Sequence, residues 1–235
     1  MLENIKASYF IQSLFSHVGE KQKLKLVKFN KNLQNTINIT LANYKYFTGR
    51  YIIYETNRFG KEYEFYNDDL IFEGEYLKGK RNGKGKEFGA DGTLDFKGEY
   101  LNGKRHGKGK EYGLEGRVSF EGEYLNGKKN GKGKTYNDNG KLLFEGEYLN
   151  GKRNGKGKEY YEDGKLKFEG EYLNGERNGK GKEYDFKGEL LFEGNYFKDT
   201  KSGKEYKDRL LIFEGEYNNK LERIGKAKNI IIKVS

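Results

Sequence analysis

A five-residue pattern, Phe-x-Gly-x-Tyr, begins at Phe72, Phe96, Phe120, Phe144, Phe168, Phe192 and Phe213, at intervals of 24 residues five times and then 21. An earlier copy starts at Phe47, with Gly49 and Tyr51. A period in this range is the mark of a repeat architecture, in which each unit buries its apolar side against its neighbours. Composition agrees with that constraint. Only 34% of the 235 residues are hydrophobic while 35% are charged, too few apolar side chains for a deep layered core. The 20 Tyr and 16 Phe are spaced regularly, which disorder does not require. The expected product is a shallow stack.

Each copy reads as a β-hairpin. In Phe144-Glu145-Gly146-Glu147-Tyr148, alternation along a strand puts Phe144, Gly146 and Tyr148 on one face, with the glycine leaving room for a neighbouring ring. The segment Asn150–Gly155 is expected to reverse the chain, and Gly155–Tyr160 to return as the second strand, with Glu145 and Glu147 beside Lys156 and Lys158. A second turn at Glu162-Asp163-Gly164 leads into the next copy. In the seventh copy Ser202–Tyr206 stands where a longer segment stood, and the eighth runs off in Ile230-Ile231-Ile232.

The best copies read FEGEYLNGKRNGKGKEY. This pattern resembles the MORN (membrane occupation and recognition nexus) family, whose units run aromatic-x-Gly-x-aromatic, a glycine-containing loop, then Gly-x-Gly. Phe96-Lys97-Gly98-Glu99-Tyr100, Gly103 and Gly107-Lys108-Gly109 meet it, and so do the next three copies. Tyr stands where many members have Trp. The expected fold is mainly β: an elongated antiparallel single-sheet array of about eight hairpins over residues 47–235, preceded by a small α-helical cap over 1–46. The recurring aromatics Phe72, Tyr76, Phe96, Tyr100, Phe120, Tyr124, Phe144, Tyr148, Phe168 and Tyr172 are its expected core. The resemblance implies a scaffold, a dimerisation module or a lipid binder.

Residues 1–46 lack the glycine rhythm and show helical spacing of apolar residues. Phe10, Ile11, Leu14, Phe15 and Val18, followed by Leu24–Lys31, resemble a degenerate F-box, without its usual leading Leu-Pro and later Trp. That resemblance implies binding to a Skp-like adaptor of a ubiquitin ligase through Phe10, Ile11, Leu14, Phe15 and Val18. The simpler reading is a cap over the open edge of the first hairpin.

Candidate chemistry is sparse. There is no cysteine, so thiol catalysis and thiolate metal sites are excluded, and a reducing compartment fits. Of two histidines, His106 occupies a position held by Asn in other copies, and His17 has no evident partner. Gly133-Lys134-Thr135 lacks the preceding glycine of a phosphate-binding loop, since Lys128 stands there. The acidic residues recur in every copy, as a structural device would. Neither catalysis nor a cofactor is expected. Residues 1–20 carry Glu3 where a secretory leader is basic, and no apolar run nears the roughly 20 residues that span a bilayer. A cytoplasmic protein is expected, at a peripheral membrane or cytoskeletal location.

The net charge is +10, of which residues 1–46 contribute +5, so the repeats are nearly balanced and a nucleic-acid partner is not expected. Their first loops nonetheless carry Lys80-Arg81, Lys104-Arg105, Lys128-Lys129 and Lys152-Arg153, then Glu176-Arg177. Regular stacking would line these up as a basic edge, for an anionic membrane surface or another protein, opposite turns holding Asp91, Glu115, Asp138 and Glu162-Asp163.

Overall fold

The computed structural model describes residues 49–64, 66–197, 200–217 and 222–224. The predicted cap, the F-box-like segment, Phe47 and Ile230–Ile232 lie outside them. The strands form one sheet in chain order, from β1 (Arg50–Tyr54) to β16 (Arg223–Ile224), and the expected antiparallel array is what forms. Among the described residues the one helical element is a short 3-10 turn at Leu114–Gly116.

Two compact units divide the chain, one drawn from Met1–Gly74 with Phe88–Gly92, the other from Glu75–Glu87 with Thr93–Ser235. In the first, β1 pairs with β2 (Phe59–Glu64), Tyr51 stacks on Tyr63 at 5.3 Å, and the Tyr51 hydroxyl donates to Asp68. The second unit holds the regular copies, and the one starting at Phe144 represents them.

That copy consists of β9 (Leu142–Leu149) and β10 (Lys152–Tyr160). The turn between them is shorter than the sequence suggests. Asn150 (φ 52°) and Gly151 (φ 89°) alone make it, a two-residue left-handed turn that matches the twist of a hairpin. Lys152 through Gly155 are already strand, not loop. The extra residues are absorbed in a bulge: Arg153 pairs with Tyr148 and Gly157 with Gly146, so Asn154-Gly155-Lys156 lie opposite Glu147 alone. At the bulge Gly155 (φ 89°) lies so close to the Glu147 carboxylate that a Cβ would collide with it. The second turn, after Tyr161, is the expected one, closed by Gly164 N–H donating to Tyr161 O at 2.9 Å.

The shortened copy shows what the bulge contributes. Strands β13 (Leu190–Phe197) and β14 (Thr200–Lys207) pair without a register shift. Two of its missing residues are those of the bulge, and Asn195 replaces the glutamate that would have filled it.

The core is a single file of rings. Every buried hydrophobic side chain among the described residues is a Phe or Tyr of the motif. Gly146 and Gly157 face each other across β9 and β10, and the Phe144 ring lies over both. A Cβ on Gly157 would sit 2.5 Å from Phe144 Cζ and 3.2 Å from Tyr172 Cε2. The space between the aromatics is therefore filled by the copy's own Phe ring, with the next copy's Tyr at its margin, rather than by a neighbour's ring alone. Phe144 meets Tyr148 edge-on at 5.5 Å and Tyr172 of the next copy at 5.3 Å. The same two contacts recur from Phe96 to Phe192. Burying each such ring contributes about 1.5–3 kcal/mol, and each edge-on pair about 0.5–1.5 kcal/mol more.

This packing predicts the outcome of two alanine substitutions. Gly157→Ala should overpack the ring and lower stability by about 1–3 kcal/mol or more. Glu162→Ala, in the exposed second turn, should stay within about 0.5 kcal/mol. Urea unfolding followed by tyrosine fluorescence measures both.

Candidate interaction site

The ring file is roofed by charge. On the second strand of each copy a cation lies over that copy's Phe: Arg105 over Phe96 (4.1 Å), Lys129 over Phe120 (4.0 Å), Arg153 over Phe144 (4.2 Å), Arg177 over Phe168 (4.0 Å) and Lys201 over Phe192 (4.3 Å). Glutamates alternate with these cations. Arg81, Glu87, Arg105, Glu111 and Lys129 form one connected run. Arg153, Glu159, Arg177, Glu183 and Lys201 form another. Thr135 stands where a glutamate would join them, and its hydroxyl instead meets that of Tyr148 at 2.7 Å. Strand alternation explains the arrangement: Arg153, Gly157 and Glu159 share the face of Phe144, and the bulge keeps them in step.

Burial works against the ionised Glu159, but the Arg177 hydrogen bond and charge outweigh it and hold the carboxyl below its usual value. The Tyr172 hydroxyl is pushed up, first by burial and then by the Glu159 charge.

The opposite face carries a second, more exposed set of pairs. Lys110, Lys134, Lys158 and Lys182 reach Glu121, Glu145, Glu169 and Glu193 of the following copy, at 2.9, 3.7, 3.8 and 3.9 Å. Tyr136, Tyr160, Tyr184 and Tyr206 donate to the same four carboxylates from the other side. Burial and the accepting carboxylate push these tyrosines up to about 12. Glu145 is thus held by Lys134 and Tyr160. The expected pairing within the hairpin gives way because Lys158 leans toward the next copy.

Each turn is also tied to the copy before it. The N–H of Gly103, Gly127, Gly151 and Gly175 donates to the carbonyl of Arg81, Arg105, Lys129 and Arg153. Asn102, Asn150 and Asn174 donate further to the side chains of Asn82, Asn130 and Asn154. His106 holds the matching place for Asn126, on a strand rather than in a loop, and its buried Nδ1 has no hydrogen-bond partner.

These units match a known family. The MORN repeat matches residues 72–94, 96–113, 144–165 and 168–189, and a MORN repeat variant matches 129–150. This chain carries MORN repeats. No curated protein matches its sequence. Among solved structures it is similar to a crystal structure of TarM at 13% identity and TM-score 0.31, over 61% of this chain and 27% of that one. It is also similar to a mutant S. aureus TarM in complex with Fondaparinux, alpha-GlcNAc-glycerol and UDP, at 16% identity and TM-score 0.33, over 57% and 26%. The chain thus spans about a quarter of the length of those structures.

Within the MORN units the eight edge cations fall into two sets. Lys80, Lys104, Lys128 and Lys152 are exposed beside the turns. Arg81, Arg105, Lys129 and Arg153 point the other way and are consumed in the charged roof, Arg105, Lys129 and Arg153 lying over rings. Adjacent strand residues face opposite sides of a sheet, so a Lys-Arg pair in a strand cannot present both charges to one partner. The acidic second turns hold Glu115 against Arg117 and Asp163 against Lys165. Phe10, Ile11, Leu14, Phe15 and Val18 lie outside the described residues. The row of leucines beside the exposed lysines went unread in the sequence; the Leu that follows the motif Tyr in five successive copies, Leu77 to Leu173, is its signal.

Two predictions follow from this geometry. Glu159→Gln should cost about 1–3 kcal/mol at pH 7, since it leaves Arg153 and Arg177 without their shared carboxylate. Because the folded carboxyl titrates below its ordinary value, its contribution is full above that ordinary value and is lost as pH falls through the lower one. Acid unfolding should therefore be shallower in the variant than in the parent, by circular dichroism. His106→Asn should restore the missing turn bond and raise stability by about 1 kcal/mol, read as a higher melting temperature.

Proposed function

We propose that this chain is a non-catalytic scaffold, a protein-interaction module that works in the cytoplasm at a membrane or cytoskeletal surface. The observation that carries this reading is how the charges are used. The acidic groups of the roof and of the opposite face stand in repeated pairs, a structural use. Among the exposed groups left over, Lys80, Lys104, Lys128 and Lys152 recur once per MORN unit along one margin, and Lys84, Lys108, Lys132 and Lys156 recur further along the same strands. A repeated, spaced row suits a partner that is itself extended.

The same lysines favour a second reading, contact with an anionic phospholipid surface. Each cation near such a surface is worth about 1 kcal/mol and is screened within roughly 8–10 Å. The variant Lys80→Ser, Lys104→Ser, Lys128→Ser, Lys152→Ser separates structure from recognition. Its melting temperature should stay near the parent's, because these side chains are exposed. Affinity capture with mass spectrometry should recover protein partners on the parent chain that the variant loses, with steep salt dependence. Flotation of the parent, but not the variant, with phosphatidylserine vesicles, together with no protein captured, would replace the scaffold by the lipid reading.

A further inference from the structure

Each of the four turn lysines stands beside an exposed leucine. Leu101 pairs across the hairpin with Lys104, Leu125 with Lys128, and Leu149 with Lys152, and Leu77 and Lys80 flank the equivalent turn. These leucines are between 44% and 53% exposed, far more than any residue of the ring file. They follow the buried Tyr of each motif, so they lie on the opposite side of the sheet from it. No ion pair engages Lys80, Lys104, Lys128 or Lys152 among the described residues, whereas Lys110, Lys134, Lys158 and Lys182 are each paired. An open depression of about 550 Å³ adjoins Leu125, with Glu99, His106, Lys108 and Glu123 in its lining. The margin therefore carries, once per copy, an exposed leucine facing an exposed lysine at the turn, with a glutamate two residues before the leucine and a hollow beside Leu125.

The period of that line selects its occupant. One copy adds two strands, about 9.6 Å at the usual spacing of 4.8 Å. Seven residues of an α-helix rise about 10.5 Å and return to nearly the same face. A helix laid across the strands thus offers one apolar residue per heptad to each successive leucine. The mismatch of about 0.9 Å per step reaches only about 3 Å from Leu77 to Leu149, within the reach of flexible side chains. A β-strand repeats its face about every 6.7 Å and falls out of step at once. Polyproline helices also come near the period, but their recognition uses grooves lined by aromatic rings. The rings here are buried beneath charge on the other face.

Resting on the scaffold reading, we propose that the Leu77–Lys80 to Leu149–Lys152 margin docks an acidic amphipathic α-helix of a partner protein, with apolar residues at heptad spacing flanked by Asp or Glu. The unpaired lysines set the sign of the partner. The next step reverses it: Glu176 faces Leu173 where the earlier copies have lysine. A basic residue of the helix belongs there, which gives the docked helix a direction.

The probe is a synthetic helix of about 28 residues, long enough for four heptads, with Leu at one heptad position and Glu beside it. A control peptide has the same composition with the leucines out of heptad register. Fluorescence anisotropy should show the heptad peptide binding the intact chain at least about tenfold more tightly than the control, a difference of about 1.4 kcal/mol. Leu101→Ser with Leu125→Ser and Leu149→Ser should remove that preference without lowering the melting temperature. Lys104→Glu with Lys128→Glu and Lys152→Glu should invert it toward a peptide carrying Lys in place of Glu. Equal binding of the two peptides, or unchanged binding by the leucine variant, overturns the proposal. So does binding of phosphatidylserine vesicles that the lysine variant loses while the peptides are not told apart. A captured protein partner that binds the leucine variant normally removes the docked helix but leaves the scaffold standing.

Discussion

Everything in the array depends on one close approach, the Phe ring laid over two facing glycines. With no Cβ on Gly146 or Gly157, the Phe144 ring can lie directly on backbone, and the sheet buries an aromatic without a second layer. A single sheet normally leaves one face of its apolar residues in water. Here Arg153 covers the ring from above, while Tyr148 and Tyr172 close its edges. The charged roof replaces the helix or second sheet that other folds bring to a hydrophobic face. That is how a chain so rich in charge holds a continuous core.

The roof in turn decides which charges remain for recognition. A cation pressed on a ring and bonded to glutamate is desolvated and occupied, and moving it toward a partner would expose the ring beneath. On the proposed reading, recognition falls to cations of the other side, among them the lysines beside the turns. The leucine beside each of them also lies opposite the core face, so it contributes nothing to the ring file and remains available at the surface. Structure and recognition are thus separated by the alternation of a strand, residue by residue.

The fold was legible in the sequence because the glycines and aromatics recur in register, and a 24-residue period leaves few architectures open. The sharp limits were less so. Asn150 through Gly155 contains four residues that suit turns, yet only Asn150 and Gly151 turn the chain. The bulge at Asn154-Gly155-Lys156 satisfies the remaining turn chemistry inside a strand, and only the shorter seventh copy, once paired, shows which residues were extra. The candidate edge was half legible for the same reason. Placed in a loop, Lys152 and Arg153 would both project outward, whereas in a strand they part, and Arg153 goes to Phe144. The ion pairs between copies were hidden because each glutamate has lysines on both neighbouring strands, and the tilt of the side chains, not spacing, selects between them.

The ring contacts also give the array a direction. Phe144 leans on Tyr148 of its own copy and on Tyr172 of the next, while each turn donates its hydrogen bonds back to the copy before. Every unit therefore supplies backbone bonds to its predecessor and awaits a ring from its successor, so the two ends of such a sheet are not chemically alike. Adding a unit at the start gives the new ring an existing successor at once. Adding one at the finish completes an older ring and leaves its own uncovered. Gene duplications within the array preserve every contact, whereas growth at the finish needs a terminator. Arg223, bound to Glu205 and lying 4.9 Å from the Phe213 ring, gives the last described ring the same cationic cover as the others.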